Sequence, residues 1–308
     1  MVGWQCHLTC FDKGGFILKK RKWIYLSLTI PALALMILFI AAPLVNAIRI
    51  SFFKWNGYSQ NMRWYGLKNF VNLFKDDLFW RSTLNTFIYG FGSTLVQNVG
   101  GLAAALFLNN KFKGRNGVRV ILYMPIMISA FIMGQILYYF VQAEGGVFNE
   151  LLGLIGIPAV YWMKTGLSST LMITLANSWQ YMGLCMNIYL AGLQNIPSMY
   201  KEAAKLDGAS EWRVILQIMM PMSKPALASI ILFSFVGQWN EYFWPLVMTN
   251  ADMYRTLPVA IAQLKEMEGM ANWQIVMAGN AILVLPVLLV YLFASKQIMK
   301  SFAYSGIK

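Results

Sequence analysis

The sequence predicts an all-α, polytopic membrane protein with six transmembrane helices and a short cytoplasmic helix between the fourth and fifth. Three observations carry this. The 308 residues are 58% hydrophobic and 12% charged, with a mean hydropathy of +0.54, too little charge to cover a soluble surface of this size. Six apolar runs each reach the ~20 residues that a helix needs to cross a ~30 Å hydrocarbon core. The basic residues lie between those runs in alternating density rather than on one polar face.

The runs are Ile24–Ile48, Leu84–Leu108, Val120–Val141, Leu171–Leu193, Ala226–Met248 and Trp273–Phe293. Pro31 and Pro43 in the first run and Pro125 in the third predict kinks, which membrane helices tolerate because neighbouring groups satisfy the freed carbonyls. Orientation follows from Lys and Arg, which stay on the cytoplasmic side. With both termini inside, the inner segments hold sixteen basic residues and the outer ones nine, six of them within Arg49–Arg81. The chain divides into a cytoplasmic tail (1–23), a membrane domain (24–299) and a second cytoplasmic tail (300–308). The basic run Lys19–Lys22 precedes an apolar stretch longer than the roughly 7–15 residues of a signal-peptide core, so the first run reads as a retained span.

Several function classes fall away. Cys6, Cys10 and Cys185 form no disulfide framework. Cys6, His7 and Cys10, in a loosely structured first 18 residues, offer three metal ligands with no fourth at a usual spacing, so no metal site is expected. The net charge of +13 is spread between spans and builds no phosphate-tracking surface, which excludes nucleic acid. No G-x-x-x-x-G-K-[ST] loop is present, so the chain itself cradles no nucleotide. Its single histidine, His7, lies outside the spans, and no nucleophile has a base at recognisable spacing, so it is not read as an enzyme. An ion-coupled secondary transporter is the alternative class, and its mark, inverted repeats with interrupted helices, is missing. The twenty methionines read as packing.

The most informative stretch joins the fourth and fifth spans, residues 195–225. Pro197-Ser198 starts a helix, Glu202–Leu206 are good helix formers, and Gly208 ends it. Ala209-Ser210 caps a second segment in which Trp212, Ile215, Leu216 and Met219 recur at helical spacing, and Pro221 and Pro225 break it before the next span. By physics alone this is either an interfacial helix on the inner leaflet, with Lys201, Lys205 and Arg213 beside its apolar face, or a docking element for a partner. The residues Glu202-Ala203-Ala204, Asp207-Gly208-Ala209, Ile218, Pro221 and Pro225, with nine residues between Gly208 and Ile218, resemble the EAA motif of binding-protein-dependent ABC permeases. Met220 departs from the leucine often found there, a volume-conserving change. The resemblance implies that the loop is a coupling helix seated in a groove of an ATPase subunit, with Glu202 the contact and Gly208 the turn.

The likeness extends from about Lys20 onward to the maltose-type, carbohydrate-uptake branch. It is carried by Pro43, Ser51-Phe52-Phe53, Gly66-Leu67-Lys68-Asn69-Phe70, Phe79-Trp80, Asn85-Thr86 and Met124-Pro125. The first outer connection lacks a large extra periplasmic domain, so maltose itself is not implied. The resemblance implies a second permease subunit, non-identical to this one, two ATPase subunits holding ATP and Mg, an extracytoplasmic solute-binding protein and a carbohydrate cargo. A homodimer of permeases and a non-sugar cargo such as glycerol phosphate are the alternatives.

Polar groups within spans are costly and face a cavity or a partner helix. Counting ~1.5 Å per residue, Trp179 and Gln180 lie ~12 Å below the outer end of the fourth span, Gln238 and Glu241 ~18–22 Å up the fifth, and Asn280 ~10 Å below the outer end of the sixth. The fifth span adds Trp239, Asn240 and Tyr242, aromatic faces beside amides and a carboxylate, the chemistry that sugars require. These residues either line a translocation path or bridge to a partner permease, while Trp244 and Trp273 read as an interfacial aromatic belt.

Overall fold

The computed structural model describes residues 27–57, 59–110, 112–249, 251–264 and 273–305. The Cys6, His7, Cys10 cluster and the tail 1–23 lie outside the described residues. The chain begins with α1, Ser27–Ile50. Residues Ile37–Ala41 widen to π pitch, with the Ala42 N–H bonded to the Ile37 carbonyl, just ahead of Pro43, which has no N–H to give. A two-stranded antiparallel hairpin follows, β1 (Phe53–Lys54) pairing β2 (Arg63–Trp64). After it come α2 (Lys68–Phe74) and the long α3 (Asp77–Leu108). Asp76 caps α3, its Oδ1 accepting from Leu78 N at 2.9 Å, the ordinary role of Asp at a helix start.

The third expected span is not one kinked helix. It is α4 (Arg115–Tyr123), a 3-10 turn over Met124–Met127 and α5 (Ala130–Val141), with 103° between the two arms. Pro125 denies the ladder an N–H, and Ser129 restarts it by accepting from Ile132 N, so a break replaces the expected kink. Then come α6 (Val147–Leu154) and α7 (Gly166–Gln194). Next are α8 (Ser198–Leu206), α9 (Glu211–Val214), a π turn over Ile215–Met219, and α10 (Met220–Trp239). Pro221 does not break the chain as expected. It enters the first turn of α10, where its missing N–H costs nothing, and a 67° bend follows between residues up to Lys224 and those from Leu227.

The fifth expected span also ends early: α10 stops at Trp239, and α11 (Phe243–Met248) starts afresh. The chain closes with a 3-10 turn (Asp252–Tyr254), α12 (Leu257–Gln263) and α13 (Trp273–Ser305), which carries Pro286 inside. Among the described residues, α1, α3 and Trp273–Ser295 are long and apolar enough to cross a membrane alone, and each bent pair adds one more if counted as one span.

The bundle is organised on α3 and α7. Thr170 Oγ1 donates to Asn85 Oδ1 at 3.3 Å, Ser178 Oγ to the Ser93 carbonyl at 3.5 Å, and the Tyr189 hydroxyl to Asn98 Oδ1. Both numberings rise together, so the helices run parallel. Their shared seam is polar and small, and its hydroxyls return bonds to their own helix: Thr86 to Ser82 O, Thr94 to Gly90 O and Thr174 to Thr170 O, at 2.6–2.7 Å. Such residues let backbones approach in lipid while leaving no donor exposed. α10 runs the other way along α3, with Phe87 against Trp239 (ring centroids 5.0 Å) and Phe91 against Phe235 (4.8 Å).

Gly183 shows how tight the packing is. A Cβ there would lie 2.2 Å from the Leu122 carbonyl oxygen and 2.8 Å from Tyr123 Cα, so α4 rests on bare backbone. Gly192, about two and a half turns on, has open space around it. Gly183→Ala is expected to destabilise the purified protein by about 1–3 kcal/mol through overpacking, while Gly192→Ala leaves it unchanged or stabilises it by up to about 1 kcal/mol. Thermal unfolding in detergent measures both.

Candidate functional site

Residues 195–225 form the first candidate site. α8 ends in a complete Schellman motif: Gly208 N donates to Lys205 O at 3.1 Å and Ala209 N to Ala204 O at 2.9 Å. Gly208 has φ +75°, a conformation that glycine alone adopts without cost. Ser210 restarts the chain, its side chain accepting from Arg213 N. Ala204, Val214 and Met219 point inward and join the core built by Leu108, Met186, Leu190 and Leu193, while Ile218 packs at its edge. The outward face presents Glu202, Ala203, Asp207 and Trp212 to solvent, and Leu206 is 90% exposed. Lys205 and Glu211 approach to 3.9 Å with both side chains exposed, a pair that contributes little to rigidity. The loop is therefore anchored by apolar keys and turned by one glycine.

Its position in the bundle is defined by contacts. A cavity between the end of α3 (Leu106, Asn109, Asn110) and Lys201, Lys205 and Glu211 puts α8 and α9 at the C-terminal end of α3. The opposite end holds Asn85, whose Nδ2 donates to the carbonyls of Met253 and Arg255, both at 3.1 Å, and Tyr254, whose hydroxyl donates to Lys164 O at 3.3 Å.

The second candidate site is a cavity of about 280 Å³ between α3, α7 and α10, whose polar lining is Gln97, Tyr181, Ser234, Gln238 and Glu241. Gln238 Nε2 donates to Gln97 Oε1 at 3.3 Å, and Gln238 Oε1 has no hydrogen-bond partner among the described residues. Glu241 lies in the break after α10. One of its oxygens accepts from Phe243 N at 3.0 Å and Trp244 N at 3.4 Å, capping α11. The cavity wall thus carries amides, a phenol, a hydroxyl and a carboxylate, groups that bond to hydroxyls. Among the described residues, no three His, Cys, Asp or Glu gather as a metal site needs.

The path residues expected from the sequence separate in space. Gln238 and Glu241 meet at the cavity. Gln180, 1% exposed, is turned away: its Nε2 donates to Ile128 O at 2.8 Å, and its Oε1 accepts from Trp244 Nε1 at 2.7 Å. It serves the break between α4 and α5, where a carbonyl has lost its helical partner. Trp244 is fully buried in this tie and not in an interfacial belt. Trp239 is buried among Phe87, Phe91 and Phe235, its Nε1 donating to Leu283 O at 2.9 Å. Asn240 Nδ2 donates to Val236 O at 2.8 Å, closing α10, and Tyr242 stacks edge-on against Phe243. Trp179, 46% exposed, precedes Tyr181 by two residues, about 200° around the helix, so it faces away from the cavity. Half-buried Asn280 on α13 and half-buried Trp273 are also off the cavity wall. Sequence reasoning missed Gln97, Tyr181 and Ser234. The signal for Gln97 was there in Ser93, Thr94, Gln97 and Asn98, a polar stripe at helical spacing within an apolar run.

Comparison with known proteins bears on both sites. The family described as binding-protein-dependent transport system inner membrane component matches residues 97–302, which include the α8–α9 loop and the cavity. The chain is 31% identical over 232 residues to the trehalose/maltose transport system permease protein MalF of Thermococcus litoralis, covering 75% of this chain and 78% of that protein. It is 29% identical over 219 residues to the lactose transport system permease protein LacF of Rhizobium radiobacter, covering 70% and 71%. A crystal structure of a bacterial ABC transporter involved in the import of the acidic polysaccharide alginate superposes with a TM-score of 0.76 at 25% identity, over 91% of this chain and 96% of that one. Two thirds of the sequence match the family and the fold spans nearly the whole chain, so this protein belongs to the inner membrane components of binding-protein-dependent transport systems.

Proposed function

We propose that this chain is the permease subunit of an ATP-driven importer that carries oligosaccharides delivered by an extracytoplasmic binding protein. The observation that carries the reading is the α8–α9 loop, keyed into the bundle by Ala204, Val214 and Met219 and exposing Glu202, Leu206, Asp207 and Trp212 beyond it. An exposed face of apolar and mixed-charge side chains on a turn anchored in the bundle is suited to docking on another protein. The occupant in this reading is an ATPase subunit, which binds the ATP and Mg. Two ATPases and a second, non-identical permease complete the assembly. Closure of the ATPases pushes the loops, and because Ala204 and Met219 share one buried core with residues of α3 and α7, the helices tilt with them as rigid bodies.

In this reading the bilayer is crossed six times with both termini cytoplasmic. α7 serves as a crossing although it is more polar than α1 or α3, because its 29 residues span about 43 Å and its polar face is covered by α3. Parallel α3 and α7 require one crossing between them, which the bent α4–α5 pair supplies. The cargo reading rests on the names of the relatives and on the cavity of Gln97, Tyr181, Ser234, Gln238 and Glu241, hydroxyl-bonding groups at one depth.

Two outcomes are expected. Gly208→Val places a β-branched residue at φ +75°, a strain of at least about 1–2 kcal/mol in this turn. The variant should insert normally, as membrane fractionation reports, yet lose substrate-stimulated ATPase activity and uptake. Full coupled transport would remove the docking role. Glu241→Ala should raise the half-saturation of uptake or stop it. Glu241→Gln keeps an oxygen to cap α11 and removes only the charge: normal uptake would show that the cargo needs no carboxylate charge here, whereas a persistent defect assigns the charge to the cargo.

A further inference from the structure

The connection between α5 and α7 holds a cleft that neither the docking loop nor the central cavity uses. It has a volume of about 230 Å³, and Tyr138, Gln142, Tyr161, Trp162 and Lys164 stand on its walls. Asn149 builds it. This buried side chain donates from Nδ2 to the carbonyls of Gln142 (3.2 Å), Ala143 (3.0 Å) and Val160 (3.0 Å). Its Oδ1 accepts from Val160 N at 3.0 Å and from Trp162 Nε1 at 3.1 Å. One amide therefore clamps both edges of the cleft and fixes the indole between them. Phe148 meets the Trp162 ring edge-on at 6.1 Å and Phe140 meets Phe148 at 5.6 Å. The Lys164 carbonyl is held by the Tyr254 hydroxyl.

The walls are thus in place before any ligand arrives, which lowers the ordering cost of binding. Tyr161 remains 62% exposed. A Trp and two Tyr offer faces for the C–H side of a sugar ring, while the Gln142 amide and the Lys164 ammonium offer donors to hydroxyl or carboxylate oxygens. Lys164 and Gln142 make the cleft a poor seat for an acyl chain. It lies at the end of the bundle opposite α8 and α9, beside Tyr254 and the start of α3.

We propose that this cleft is a subsite for one pyranose ring of an oligosaccharide at the outer mouth, engaged ahead of the central cavity. The proposal rests on the reading of the chain as an oligosaccharide permease with this loop outside. Saturation-transfer NMR on the assembled importer in nanodiscs, without its binding protein, tests it with maltotetraose and an alginate tetrasaccharide as probes. Transfer to ring C–H protons of at least one probe is expected. It should persist in a Gln97→Ala/Glu241→Ala background, be lost from that background on adding Tyr161→Ala, and be kept with Tyr161→Phe. No transfer from either probe overturns the subsite. Transfer that vanishes with the cavity substitutions and ignores Tyr161→Ala also overturns it, while leaving the permease reading intact. If Tyr161→Ala leaves transfer untouched and instead raises the binding-protein concentration needed for half-maximal ATPase activity, the cleft is a protein contact and the subsite is overturned.

Discussion

The parallel seam of α3 on α7 is the constraint from which the rest of the architecture follows. Lipid gives apolar helices no reason to prefer each other over acyl chains, so close association depends on small residues, hydroxyls and buried amides. Ser93, Thr94, Asn98, Thr174 and Ser178 supply these along the contact, and Gly101 lets the backbone of Met182 and Met186 and the Cys185 Cβ come close. Two parallel helices joined by a single connection oblige that connection to return along the bundle. The bent α4–α5 pair makes the return, seated on Gly183. α10 then fills the remaining side of α3 in the opposite direction, which brings Gln97, Tyr181 and Gln238 from three helices to one depth.

Helix breaks generate most of the polar chemistry within the bundle. Breaking α4 from α5 exposes carbonyls, and Gln180 donates to those of Pro125 and Ile128 while its own oxygen accepts from Trp244 Nε1. The break between α10 and α11 leaves N–H groups that Glu241 caps. Span polar residues therefore divide into those that repair interrupted backbone and those that face open space. Glu241 belongs to both groups, since it caps α11 and lines the cavity. At the two ends of the bundle a single residue organises each connection: Gly208 by its backbone at one end, Asn149 by its side chain at the other.

Much of this was legible in the residues. The EAA-like spacing around Gly208 located the turn between α8 and α9, because a glycine followed by a Ser cap has few alternatives in local backbone energy. Pro125 marked the third span as irregular. That Gln238 and Glu241 lie level with Tyr181 was readable because rise per residue is constant along a helix. The azimuth was not: Trp179 and Gln180 share a depth with the cavity and neither faces it. Trp239, Asn240 and Tyr242 looked like continuous helix because apolar periodicity does not register a break whose N–H groups are capped from two residues away.

The sequence by itself determined the membrane environment, the helical class and the chemistry of the turn at Gly208. These depend on composition and on interactions between residues close along the chain. Only the tertiary structure decided which polar side chains look into the cavity and which mend broken helices, and that Asn149 clamps an aromatic cleft. Those outcomes depend on how helices far apart in sequence rotate against one another, and along one chain a buried glutamine reads the same whether its partner is a freed carbonyl or open space.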